Sequence, residues 1–460
     1  MPIHCPMLND PSDDVAWMKR TDIQQADNGV AVPAGRWHRL SRLGLMASSV
    51  AGGMLAEGAR HLAKGQVPTV SGMLLTPSNV KRVTNELAKL RGAAMKVGQL
   101  MSMDAGDLIP PVLSDMMSRL RSEADSMPMS QLVTVLDKAW GKDWSHRFER
   151  FSFTPAAAAS IGQVHHAITR QGQALAIKVQ YPGVRESIDS DVDNVAALLR
   201  LTGLLPSTIE INRILDEAKK QLHAEANYQL EQDWMRRYAE RLGATSAFLL
   251  PEPHTELTTP QVLAMTWVEG SPIESLASAP QALRDHVATL LFDLALKEIF
   301  EFRVLQSDPN FANYRFNQDE QKIVLLDFGA TRALPEAMVE GYRLLMQQGM
   351  AKNRTKMQEA ATQIGYFSRE MTAQQITAVM DLFEMACEPL CHRGPYDFAA
   401  SNLPRRMHDI GMTLAMDRDY WHTPPIDALF LHRKLAGTYL LAARLQAQVD
   451  IGAMAKHYLV

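Results

Sequence analysis

Gln306-Ser307-Asp308-Pro309-Asn310-Phe311-Ala312-Asn313, followed after nine residues by Ile323-Val324-Leu325-Leu326-Asp327-Phe328-Gly329, is the stretch on which the reading of this chain turns. Ile323 to Leu326 is a short apolar run rich in β-branched residues, so it reads as a buried strand with Asp327 at its end. Asp308 and Asn313 are five apart, and Asp327 follows Asn313 by fourteen positions. One carboxylate and one amide carbonyl, completed by phosphate oxygens, are the hard ligands that Mg²⁺ takes. Asn313 and Asp327 are therefore the candidate metal ligands. Asp308 is left to orient or deprotonate a nucleophile. Pro309 and its flanking Asn and Asp would also make an ordinary turn. The fixed distance to Asp327 favours the chemical reading.

Protein kinases space their catalytic Asp, metal-binding Asn and D-F-G in this way. Upstream, Ala174 to Tyr181 reads as a strand joined to Gly162–Thr169 by a turn at Gln171-Gly172. Alternation puts Leu175, Ile177, Val179 and Tyr181 on one face and Ala174, Ala176, Lys178 and Gln180 on the other. A mid-strand lysine among alanines matches the V-A-I-K strand, whose ammonium contacts phosphate. An edge-strand lysine would look similar. Pro155-Ala156-Ala157-Ala158-Ala159-Ser160-Ile161-Gly162-Gln163-Val164 precedes it. Laid on G-x-G-x-x-G-x-V, it has Gly162 and Val164 at the last two fixed positions and alanine, Ala157 and Ala159, at the first two. Alanine resists positive φ, so this loop is expected to cover phosphates in a stiffer shape. The nucleotide-contacting candidates are Ala156, Ala157, Ala158, Ala159, Ser160, Ile161, Gly162, Val164 and Lys178. Thr154 and Pro155 could instead cap and start a helical turn of alanines.

P-A-A-A-A-S-I-G-Q-V-H, A-I-K-V-Q-Y-P-G-V, Q-S-D-P-N-F-A-N and L-L-D-F-G-A-T-R together resemble the signature motifs of the UbiB/AarF/ADCK family of atypical kinases of coenzyme Q biosynthesis. The Q-x-D-P-N form is similar to the mitochondrial-type branch. The resemblance runs from about residue 37 through Leu431-His432-Arg433-Lys434-Leu435-Ala436-Gly437. It implies an α+β, two-lobed kinase-like fold, with a mixed β/α N-lobe, a mainly helical C-lobe and a helical extension carrying a K-x-G-Q motif. That motif is Lys96-Val97-Gly98-Gln99, on a helix whose stripe Val80, Val83, Leu87, Leu90, Ala94, Val97 and Met101 steps by three and four. The resemblance makes Lys96, Gly98 and Gln99 a substrate-occluding element over the active site; without it, Lys96 and Gln99 would read as a solvated helix face. It also implies that Glu225 is the partner of Lys178, that Glu231 is a second active-site carboxylate, and that Met265 to Gly270, with Met265 and Val268, is the hinge flanking adenine. The implied ligands are ATP and Mg²⁺, with prenylated quinone-pathway intermediates or their enzymes as partners. The alternatives are a soluble small-molecule kinase and a nucleotide-gated scaffold without catalysis. Only Ala330 to Leu334 separate Gly329 from a helix start at Pro335, and Gln306-Ser307 stands where H-R would precede the Asp. Both departures argue against a conventional protein kinase.

Composition fits this reading. The chain has 460 residues, 46% hydrophobic content and a net charge of -4, enough for two lobes and unsuited to wholesale nucleic-acid binding. The expected units are a loose tail (1–35), a basic and apolar segment able to contact membrane (36–66), the helical extension (67–150), the N-lobe (151–270) and the C-lobe (271–460). Asp10, Asp13 and Asp14 make the start too acidic for a transit peptide. The apolar run Leu43 to Ala56 is shorter than the ~20 residues of a membrane span. A cytoplasmic protein, peripheral on the inner membrane at most, is the expectation. Three cysteines, two of them Cys387 and Cys391, suit a reducing compartment and structural thiols better than a metal site.

Overall fold

The computed structural model describes residues 87, 90–105, 127–202, 211–243, 247–369, 371–416 and 424–459. The expected tail, the segment 36–66, and Val80 and Val83 of the apolar stripe lie outside these residues.

The first described helix, α1 (Arg91–Ala105), carries the K-x-G-Q motif. Its stripe is buried as expected: Leu87, Leu90, Ala94 and Val97 are all in the main core. A second helix, α2 (Met129–Trp140), leads to β1 (Phe148–Phe151). Next come β2 (Ala157–Ala158), β3 (Gly162–Thr169) and β4 (Ala174–Gln180). Gly172 takes φ 82° in the β3–β4 turn, a conformation that favours glycine. Two long helices follow, α3 (Val184–Thr202) and α4 (Ile211–Glu225), and then α5 (Tyr228–Leu242). Between α4 and α5 the chain breaks at Asn227, whose side chain accepts the Leu230 N–H and starts α5. Strands β5 (Phe248–Leu249), β6 (Val262–Thr266) and β7 (Ser271–Pro272) complete this half.

One sheet has the order β1-β3-β4-β6, with β2 also paired to β3. The strand alternation has a physical outcome in β4. Leu175, Ile177 and Val179 pack with Trp140, Trp144, Phe148 and Phe151 in a small core on the outer face. Ala176 joins the main core on the other face. Lys178 leaves the strand on that inner side, opposite Val164 of β3 and Leu263 of β6.

The remainder is mostly helical. The long α6 (Gln281–Lys297) runs into a π turn at Glu298–Phe302, and Arg303 follows with φ 53°. The segment β8 (Val304–Gln306), a 3₁₀ turn at Phe311–Asn313, β9 (Tyr314–Asn317), β10 (Lys322–Leu325) and β11 (Thr331–Ala333) holds the decisive motifs. Strand β10 pairs antiparallel with β9 and parallel with β5, while β11 pairs with β8. This pairing brings Asp308 and Asp327 side by side at the strand ends. Then come α7 (Glu336–Met350), which starts directly after Pro335, α8 (Arg354–Ile364), α9 (Ala373–Ala386), the single turn α10 (Glu388–Cys391), β12 (Tyr396–Asp397), α11 (Leu403–Met416), α12 (Ile426–Arg444), β13 (Gln448–Val449) and α13 (Ile451–Tyr458). Cys387 and Cys391 are free thiols, and burial pushes Cys387 up to about 12. Among the described residues no group of three or more His, Cys, Asp or Glu side chains could hold a metal ion. No described helix is long and apolar enough to cross a membrane.

Candidate active site

The site lies where the inner face of β4, the helices α1 and α5, and the loop between β8 and β9 converge. Lys178 is buried, and its ammonium donates to both oxygens of Glu231 on α5, at 2.9 and 3.1 Å. Asp327 Oδ2 lies 3.7 Å from the same ammonium. Tyr228, one turn before Glu231 on α5, has its ring 5.3 Å beneath it. Burial works against the charged lysine, but Asp327 and Glu231 outweigh it and hold the ammonium well above the usual lysine range. Burial pushes Glu231 up to about 7 despite the opposing pull of Lys178. Burial would also raise Asp327, yet Lys178, the Gly329 N–H and Lys96 together keep it below the usual carboxylate range. Asp327 is thus held in its ionised form, with Gly329 N–H donating to its Oδ1 at 2.9 Å.

The partner assigned to Lys178 from sequence, Glu225, is corrected by this geometry. Glu225 ends α4 and instead pairs with Lys96 of α1. The reason is the break at Asn227: it starts a separate helix, so Glu231, one turn inside α5, is the carboxylate buried against β4. Lys96 is buried too, so the K-x-G-Q face is turned into the protein and not toward solvent; Gly98 is buried and Gln99 half-buried.

On the other side, Asn313 Nδ2 donates to the Asp308 carbonyl at 3.1 Å and to its Oδ2 at 3.3 Å. That leaves the side-chain amide oxygen of Asn313, Oδ1, to face a cation. Asp308 Oδ1 accepts from Arg433 of α12 at 2.6 Å. Leu326 N–H donates to the Asn313 carbonyl, which fixes the loop to the start of D-F-G. One clue to Arg433 was in the sequence, its place in a signature motif. It did not identify the partner, because Asp308 is 125 residues away.

The alanine loop is a hairpin and not a helical turn. Ala157 and Ala158 form β2, facing Val164 and Gln163 of β3. Ala156, Ala157 and Ala158 are exposed, while Ala159 and Ser160 are half-buried and Ile161 is buried. No residue from Ala156 to Gly162 has a positive φ. Gly162 has a packing reason: a Cβ there would sit 2.2 Å from the Val179 carbonyl oxygen. The loop also abuts α1, since a Cβ on Gly92 would meet Ile161 at 3.2 Å and the Ser160 carbonyl at 3.4 Å. Val164 packs half-buried against the main core, Met265 is buried in β6, and Val268 follows the strand at the expected hinge.

A two-lobed α+β fold with a buried strand lysine, a helix carboxylate paired to it, and an Asp–Asn–Asp set at the facing loop defines a kinase-like protein. Comparison with known proteins narrows the class. A family model described as the ABC1 atypical kinase-like domain matches residues 119–361. The Saccharomyces cerevisiae protein "Atypical kinase COQ8, mitochondrial" is 35% identical over 431 residues, covering 93% of this chain and 85% of that one. The Rattus norvegicus "Atypical kinase COQ8B, mitochondrial" is 35% identical over 424 residues, with 91% and 79% coverage. The Caenorhabditis elegans relative "Atypical kinase coq-8, mitochondrial" is 34% identical over 438 residues, and the chain spans 58% of its length. Among solved structures, the complex of Rv3197 with erythromycin from Mycobacterium tuberculosis matches with TM-score 0.57 and 24% identity, over 81% of this chain and 93% of that one; the likeness is one of fold. The chain belongs to the ABC1 atypical kinase-like family, with the COQ8 atypical kinases among its relatives.

Proposed function

We propose that the chain is an ATP-binding atypical kinase or ATPase that supports ubiquinone biosynthesis. The observation that carries the nucleotide part is the ammonium of Lys178, held between Glu231 and Asp327, with the Asp327 backbone tied through Gln306 to the hydrogen-bonded Asp308–Asn313 pair. Lys178 would contact phosphate, and the neighbouring carboxylates fix its position and charge. An ionised Asp327 and the side-chain amide oxygen of Asn313 fit Mg²⁺, which would draw its remaining ligands from phosphate and water. A bound Mg²⁺ would neutralise phosphate charge during transfer. Asp308 is the acid of the catalytic loop. Its ion pair with Arg433 favours the charged carboxylate and so opposes its taking a proton from the acceptor. That ion pair is also the observation in favour of a second reading, a nucleotide-gated scaffold.

The supporting role in ubiquinone biosynthesis rests on membership in the family and on its COQ8 relatives. The phosphate acceptor would be a prenylated intermediate or a protein of that pathway. Peripheral membrane contact would fall to the basic flanks of residues 36–66. ATP hydrolysis measured with and without prenylated phenol analogues and anionic liposomes tests this reading. Stimulation by both that weakens with salt is the expected result. Hydrolysis that neither affects would remove the lipid part while leaving the nucleotide part standing.

The alanine loop gives a further expected result. Its backbone avoids positive φ, so glycine at Ala157 or Ala159 would open the conformations that let the loop fold down around the phosphates, which alanine resists. Ala159→Gly should shift ATP or ADP affinity by up to several-fold, toward tighter binding, corresponding to about 1 kcal/mol of backbone preference. Unchanged dissociation constants beside a lowered melting temperature would remove the loop from the nucleotide site.

A further inference from the structure

Below the catalytic loop lies a buried polar group that the proposed chemistry does not use. Lys434 of α12 is 2% exposed and Glu298 is 1% exposed. The Lys434 ammonium donates to Glu298 Oε1 at 3.0 Å and to the Tyr314 hydroxyl at 3.2 Å. Glu298 opens the π turn that ends α6, a feature that often marks a functional position in a helix. Tyr314 is the residue after Asn313. Gln306, two residues before Asp308, donates from its side-chain amide to the carbonyls of Asp308 (3.0 Å) and Asp327 (3.3 Å). These two acceptors fix the amide orientation, because a flipped amide would face them with its own oxygen. The Gln306 amide oxygen then points away and is buried without a donor; Glu298 Oε2, 2.9 Å from the ammonium, likewise has no aligned donor. Both residues line one small cavity, together with Tyr238, Tyr314, Asp327 and Lys434. About 10 Å³ there is open to the centre of a water molecule, roughly the space that one water needs. Above it, a Cβ on Gly437 of α12 would sit 2.3 Å from Pro309, so the helix presses directly on the loop.

We propose that Glu298 and Lys434 are positioning residues for the catalytic loop, acting through Tyr314 and through a single buried water shared by Glu298 and Gln306. The pair grips the loop just beyond both ends, at Gln306 and Tyr314, and Gln306 ties the backbones of Asp308 and Asp327 together. A buried ion pair adds little stability over apolar side chains of similar size. Its return is register: Asp308, Asn313 and Asp327 are set relative to one another by groups that touch neither nucleotide nor acceptor. Rigid support of this kind matters because a misplacement of about 1 Å can cost about a hundredfold in rate. The catalytic part of the proposal rests on the kinase reading; the anchoring part does not.

Lys434→Met alone would strand the Glu298 carboxylate and threaten folding, so the test uses Glu298→Leu/Lys434→Met together, with Gln306→Met as a second, independent variant. Each full-length protein is compared with wild type by amide hydrogen exchange, MgATP affinity and turnover. The expected result is exchange at residues 306–314 faster by about tenfold or more, without a matching rise in α6 or α12. Turnover should fall roughly a hundredfold while the MgATP dissociation constant stays within about threefold. Wild-type protection of residues 306–314 in both variants, or wild-type turnover in the double variant, would overturn the proposal. If wild type itself fails to bind MgATP, the kinase reading falls, and the exchange result still decides whether the pair anchors the loop.

Discussion

Asp327→Asn should raise the dissociation constant for MgATP by about a hundredfold or more while leaving the fold intact. Asparagine keeps the shape and can still accept the Gly329 N–H through its side-chain oxygen, as Asp327 Oδ1 does at 2.9 Å. What disappears is the formal charge in a metal site that has only one other candidate protein ligand, Asn313. A second consequence follows from the 3.7 Å approach of Lys178 to Asp327 Oδ2. The variant amide can present its N–H₂ to that ammonium, setting donor against donor, so the lysine is also less well placed for phosphate. The loss should be confined to the Mg²⁺-dependent part of binding. Calorimetric titration with and without Mg²⁺ separates the two. Mg²⁺-dependent affinity at wild-type strength would remove Asp327 from the metal site.

The second large effect is expected at Lys178, and it carries a pH signature. Lys178→Met should lower turnover by roughly two orders of magnitude or more, through loss of a preorganised charge at the phosphates. Glu231 is then left as a buried carboxylate without its cation. Burial already pushes it up to about 7 with Lys178 present, and without Lys178 it must rise further. A folded-state value above the unfolded one means that the neutral form favours folding at low pH. That contribution is lost as pH rises through the folded value. The variant should therefore melt close to wild type near pH 6 and fall progressively behind above pH 7. An equal deficit at pH 6 and pH 9 would mean that Glu231 does not sense Lys178.

Much of this site was legible in the sequence, for identifiable reasons. Strand alternation is local, so β4 correctly divides Leu175, Ile177 and Val179 from Ala176 and Lys178. The Asp308–Asn313–Asp327 spacing is also local, because β8 to β11 follow one another with short connections. The buried stripe of α1 was readable from its three-and-four steps, and so was the turn at Gly172. Pairings between distant helices were not. Glu225 and Glu231 lie on one acidic run, and nothing in their spacing says that Asn227 begins a new helix between them. The choice of Glu225 for Lys178 failed there. Lys96 carried no sign of burial, since its partner is 129 residues away. Arg433 and Lys434 were visible only as members of a motif. Their partners, Asp308 and Glu298, depend on how α12 lies under the loop, which no periodicity within α12 encodes.

The alanine loop was ambiguous for a different reason. A proline followed by four alanines suits the first turn of a helix as well as a strand. The deciding interaction is the ladder with β3, in which Ala157 faces Val164 and the Ala159 N–H donates to the Gly162 carbonyl at 2.9 Å.

The central claim is that the cleft around Lys178, Asp327 and Asn313 binds ATP with Mg²⁺. Its most direct test is the melting temperature of the full chain titrated with ATP in the presence and absence of Mg²⁺. Specific binding predicts a rise that needs the metal and grows with the logarithm of the ATP concentration, equivalent to about 2.7 kcal/mol at a hundredfold excess over the dissociation constant. A melting temperature that stays flat through millimolar MgATP, or that rises equally without the metal, would contradict it.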